Sequence, residues 1–164
     1  IQAAERWIFL NLSLAILLSI PAVNLYTHGT HFTVAHAMGA TIGINTFLLL
    51  GFFFHLLTPS TLTPVSQQRI RHVIQTAQFM LLLFWVSLIG AGVLKSYWQF
   101  TLPHTPYSKL MQESHPVFIS LFISGALLAC SLLALITYLI RWLLATCFLT
   151  ENLPDMHHER IAGE

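Results

Sequence analysis

The sequence is short of charge. Of its 164 residues only 8% are Asp, Glu, Lys or Arg, and seven basic side chains face six acidic ones. An ordinary soluble domain carries about a quarter of its residues charged. So few charges cannot cover the surface of a globular fold, and a net charge of +1 provides no basic face for nucleic acid. No basic cluster interleaved with aromatics occurs either. Cysteine is also scarce. Cys130 and Cys147 both fall in or at the end of an apolar run. They would lie ~25 Å apart along one helix, too far to pair, and read as small apolar fillers. The chain opens at Ile1 with no initiator Met and no basic–apolar–cleavage pattern. It reads as a processed chain, a fragment, or the ordered part of something longer. No internal repeat is visible.

What is abundant is apolar surface: 55% of the residues are hydrophobic, and the mean hydropathy is +0.72. Lipid is the solvent such a chain needs, and a spanning helix takes roughly 20 mostly apolar residues. Four stretches qualify, at about 6–25, 32–57, 73–94 and 116–148. The expected fold is therefore all-α, a single membrane-embedded helical unit over residues 1–164 with four transmembrane helices. "TPSTLTP", 58–64, reads as a proline-punctuated loop. "TLPHTPYSKLMQES", 101–114, reads as a second polar connection, and 150–164 as a loose polar tail. Arg6, Arg69, Arg71, Arg141 and Arg160 favour one side of the membrane. Lys95 and Lys109 lie on the other. The balance puts both termini and the tail in the cytoplasm, and the "THGTH" loop, 27–31, on the opposite side.

The histidines are the sharpest feature. His36 sits about five residues inside the second span, and an ionisable side chain at that depth marks a functional site by default. Neutral imidazole is a common metal ligand and a standard axial ligand of haem iron. It can equally be hydrogen-bonded across a helix interface. Met38 is two positions on, and at about 100° per residue it points to nearly the opposite side of the helix. One helix can thus serve two haems, or Met38 can simply pack. Gly39, Gly43 and Gly51, with Ala35 and Ala40, thin the helix for a close neighbour or a flat macrocycle. His28 and His31 lie at the mouth of the span, placed either for haem propionates or for water. Thr27, Thr30 and Thr33 are available to cap its start. His55 falls about 28 Å further along the helix, near the other membrane face. His72 belongs with the Arg69–Arg71 cluster, and the remaining histidines are in loops or tail.

At these residues a resemblance appears. "NLYTHGTHFTVAHAMG", 24–39, is similar to the segment "NYYTHGTQLTAAHGH" typical of the large subunit of bacterial nitric oxide reductase, in the haem–copper oxidase superfamily. "SLIGAGVLKSYWQ", 87–99, is similar to that family's penultimate helix, and a last span follows it in both. The resemblance covers most of this chain and corresponds to the C-terminal third of a twelve-span subunit. It implies a bacterial inner-membrane enzyme that reduces two NO to N2O and water. It also implies haem b in high-spin and low-spin forms, and cytochrome c or quinol as electron donor. His36 takes the position of the high-spin haem's axial ligand. Met38 stands where the family has a second His that binds the low-spin haem from the opposite face. The non-haem iron or copper would be held outside this chain, because no span here carries an "HxxxE" or "HH" pair. Those ligands would come from N-terminal helices or a partner chain. An oxygen-reducing relative, a b-type cytochrome anchor and a packing subunit without haem remain open at this point.

Overall fold

The computed structural model describes residues 2–57, 64–102, 104 and 106–151. In chain order the elements are α1 (Gln2–Ser19), α2 (Pro21–Thr27), α3 (His31–Met38), a π-helical segment (Gly39–Thr46), α4 (Phe47–Leu57), α5 (Pro64–Thr101) and α6 (Tyr107–Glu151). No strand occurs among the described residues. The all-α expectation holds.

The count of spans is corrected. Three helical stretches are long and apolar enough to cross a membrane: His31–His55, Gln67–Thr101 and Tyr107–Leu144. The expected first span, 6–25, is a broken one: α1 and α2 meet at 99°, and only together do they reach spanning length and hydropathy. The cause is local. Pro21 has no N–H to continue the ladder and holds the preceding residue out of the helical region. Ile20 accordingly takes φ −71° and ψ 120°. The Ser19 hydroxyl turns back and donates to the carbonyls of Ala15 and Ile16, at 2.8 and 2.9 Å.

The 101–114 connection is corrected too, because α6 begins at Tyr107. Pro106 precedes its first turn, where a missing N–H costs nothing, and its carbonyl accepts the Lys109 N–H at 3.0 Å. Lys109, Leu110, Met111, Gln112 and Glu113 all favour helix, and that preference outweighs their polarity. The helix also runs through Pro116, expected to start the span. The apolar stretch of α5 extends over 35 residues, about 52 Å, so it overshoots a hydrocarbon core of ~30 Å. Residues 58–63, expected as a loop, and 152–164, expected as a tail with His157, His158 and Arg160, lie outside the described residues. Cys130 is exposed on α6.

The helices pack antiparallel in sequence order. On α5 and α6 the Ser87 and Ser120 hydroxyls meet at 3.0 Å, and Phe84 lies against Gly125. α3 runs along α5 with Phe32 on Gly92. α1 crosses the π segment, where Gly43 faces the Trp7 indole and Gly39 faces Asn11. A π turn is wider than an α turn and recurs at functional sites. The Thr46 hydroxyl here reaches the Thr41 carbonyl five residues back, at 3.0 Å. One core cluster gathers Ala4, Trp7, Phe47, Leu50, Ala77, Leu81, Leu128 and Leu135. A smaller one gathers Leu14, Ala35 and Leu88. Phe9 and Phe122 are 72% and 75% exposed. Large apolar residues so displayed belong against lipid or further helices. By helix length and surface, this is a membrane protein.

Candidate functional site

The site is built where α1, α3 and the π segment meet. Asn11 is buried in the apolar α1. Its amide oxygen lies 3.1 Å from Nδ1 of His36. An amide oxygen only accepts, so Nδ1 carries the proton and donates. In the tautomer that makes this bond, the lone pair is on Nε2. Metal-ligating histidines have this arrangement, one nitrogen for the metal and the other held by an outer partner. The bond is equally what a polar clamp between two helices needs.

Gly39 makes the pairing possible. A Cβ there would stand 2.5 Å from Asn11 Oδ1 and 3.0 Å from its Cγ. The same point is 3.4 Å from Nε1 of Trp85, a buried indole nitrogen with no hydrogen-bond partner. Trp85 in turn meets Trp7 edge to face, with ring centroids 6.0 Å apart. His36, Asn11, Gly39, Trp7 and Trp85 thus form one knot of polar and aromatic groups inside the helical packing.

His36 itself is half-buried. Beside it Thr33, Val34, Ala37 and Thr41 form an exposed face of small residues. His36 lies at one border of this face and Met38 at the other, as the turn of about 100° per residue requires. Met38 packs against Leu14, Ala35 and Leu88. The structure therefore places it among packing side chains of α1 and α5, while His36 engages α1.

The mouth of the span is latched from α5. Gly29 has φ +71° and makes the turn between α2 and α3. Its carbonyl accepts from Lys95 Nζ at 2.8 Å. Ser96 donates its hydroxyl to the Tyr26 carbonyl at 2.5 Å. Of the three threonines expected to cap, Thr30 is the N-cap, with Phe32 N–H donating to its hydroxyl at 3.4 Å. Thr27 ends α2 instead and donates back to the Val23 carbonyl at 3.0 Å. His28 is exposed. His31 is half-buried against Phe118, with ring centroids 5.8 Å apart and a buried Nδ1 without a partner. Lys95 thus reaches this loop from α5, with His28 exposed in the loop and His31 turned in toward Phe118.

No group of three or more His, Cys, Asp or Glu is placed to hold a metal ion among the described residues. A haem asks less of this chain: one imidazole with a free nitrogen and a flat, open face beside it. The chain offers one imidazole in this region, His36, bordered by exposed small residues. His55 is far from the knot and lines an apolar cleft of about 480 Å³ with Asn45, Leu48, Leu49 and Phe52. His72 bonds its own helix, Nδ1 donating to the Gln68 carbonyl at 2.8 Å.

Sequence reading missed Asn11 as the partner and used Lys95 only as a topology marker. The available signal was a lone amide in the apolar run "FLNLSLAILL", 9–18, which lipid penalises unless it finds a partner. No family model matches the chain, and neither curated proteins nor solved structures give a match.

Proposed function

We propose that this chain is the haem-ligating C-terminal portion of a nitric oxide reductase-like respiratory enzyme. The overall reaction would be 2 NO + 2 e− + 2 H+ to N2O and H2O. The observation that carries the reading is the Asn11–His36 bond, which leaves one imidazole nitrogen available beside an open face of small residues. The similarity of residues 24–39 and 87–99 to that family supports it further.

The chain's own residues have distinct tasks. Asn11 holds the His36 ring in one tautomer and orientation. Gly39 keeps the space in which that bond forms. Lys95, with His28 and His31, steadies the mouth and supplies donors for propionate carboxylates. The surrounding apolar helices exclude water. When bound, a haem b supplies the redox-active iron that accepts electrons and binds substrate. The distal non-haem metal and its ligands belong to N-terminal helices or a partner chain, and the electrons come from cytochrome c or quinol. The enzyme sits in the bacterial inner membrane with the tail in the cytoplasm and the 27–31 loop on the other side.

Met38 is the proposed axial ligand of a second, low-spin haem. In that role its thioether must leave the cluster of Leu14, Ala35 and Leu88. The Asn11–His36 bond also favours a second reading, in which the pair clamps helices in a packing subunit without haem. A pyridine haemochrome assay on the purified complex separates the two. The haem reading expects haem b in the wild type. It also expects loss of high-spin haem and of NO reduction in His36→Ala, with helicity kept. Full haem content and turnover in His36→Ala refute it.

A further inference from the structure

A groove outside the histidine site, on the face between α1 and α5, has the composition of a lipid site. It encloses about 320 Å³ and is lined by Arg6, Trp7 and Leu10 of α1 and by Gln75, Gln78, Phe79 and Leu82 of α5. We propose that it binds an anionic glycerophospholipid, with the phosphodiester at Arg6, Gln75 and Gln78 and an acyl chain along Leu10, Phe79 and Leu82. The inference rests on the membrane reading of the helices and is independent of the haem.

Three observations carry it. The first is charge. Arg6 is exposed, and no ion pair involving it is present among the described residues. A guanidinium presents a fork of donors that suits phosphate oxygens, and two amides opposite add further N–H groups. Glu5 is its chain neighbour and also exposed.

The second is depth. α5 overshoots the bilayer, and centring about 30 Å of hydrocarbon on it places the boundary close to Gln75. Arg6 across the groove is therefore at headgroup level, where a long basic side chain reaches the interface. Basic pockets between spanning helices at that level are where anionic headgroups bind.

The third is what lies above the polar end. Phe79, Leu82 and Val86 follow Gln75 up one face of α5 at helical spacing, and they are 56%, 39% and 53% exposed. Leu10 and then Leu17 follow Arg6 up α1, with Leu17 52% exposed. An open apolar stripe on α5, with Leu10 and Leu17 beside it on α1, rising from one polar end matches a headgroup followed by a chain. A protein helix seated there would have to bring its own carboxylate to Arg6 at the membrane boundary.

The test is native mass spectrometry of the purified, delipidated complex in detergent. Dioleoyl phosphatidylglycerol and dioleoyl phosphatidylcholine are added in parallel. The wild type retains phosphatidylglycerol in preference, and Arg6→Gln reduces that retention about fivefold, as expected for one basic residue near a membrane surface. Gln75→Leu with Gln78→Leu also lowers it, and Lys109→Gln does not. Equal retention of the two lipids, or unchanged phosphatidylglycerol in Arg6→Gln, overturns the proposal. A photoreactive side chain at Gln78, in an otherwise native chain, gives a readout that does not need Arg6 changed. Cross-linking to lipid supports the site, and cross-linking to a protein segment overturns it.

Discussion

Asn11→Leu is the most searching change this structure offers. It keeps the branched side-chain skeleton and replaces the amide, with the oxygen that accepts from His36 Nδ1 at 3.1 Å, by two methyl groups. Two magnitudes bear on the outcome. Interhelical hydrogen bonds in membranes average about 0.6 kcal/mol and reach ~1.7. A donor stranded in a dry protein core costs more, about 1–3 kcal/mol. His36 is only half-buried, so the membrane figure governs and folding should survive. The effect on a bound metal is larger. Loss of the outer partner of a ligating His lowers affinity ~10–100-fold, or about 1.4–2.8 kcal/mol. On the proposed haem-binding reading, the variant should therefore keep its helicity while losing much of the haem. The remainder should show a weakened iron–histidine stretch in resonance Raman spectra. Asn11→Asp, which accepts more strongly, should shift that stretch the other way. A full complement of haem with an unmoved stretch in Asn11→Leu would refute the idea that this amide orients a ligand.

Other outcomes follow from the same packing. Gly43→Ala puts a Cβ within 2.6–2.9 Å of the rigid Trp7 ring; it should lower stability by about 1–3 kcal/mol in denaturant titration. Gly90→Ala, whose Cβ meets only Val117 at 3.9 Å, should be neutral or better. Met38→Leu keeps the apolar volume and should fold normally. A low-spin haem that loses its sixth ligand in the optical spectrum would establish Met38 as a ligand, and an unchanged spectrum would make it a packing residue. Single cysteines at His28 and Arg71 test the orientation: in intact cells an impermeant maleimide should label the first and spare the second.

Much of this was legible in the chain itself. Low charge and long apolar runs dictate helices, because a backbone in lipid must satisfy its own hydrogen bonds. The depth of His36 and the opposed directions of His36 and Met38 follow from 3.6 residues per turn. The approach of Lys95 to the 27–31 loop was not legible, because it requires α5 to pack antiparallel beside α3. Local rules reached less far. Pro21 was visible as a punctuation mark, but the 99° bend depends on where α2 finds contacts beside α5. The helical start at Tyr107 went against the polarity of its residues, because helix propensity is a local preference that hydropathy does not register. The tertiary structure alone decided the partners. Asn11 and His36 are a whole helix apart in sequence, and nothing in either segment says that one amide will face one imidazole. The contact arises because Gly39 and Gly43 lower the surface of the π segment where Asn11 and Trp7 cross it. Arg6 lines one groove with Gln75 and Gln78 of α5. Composition and periodicity specify which faces of a helix are apolar. Which face meets which neighbour is settled by shape, and shape belongs to two helices at once.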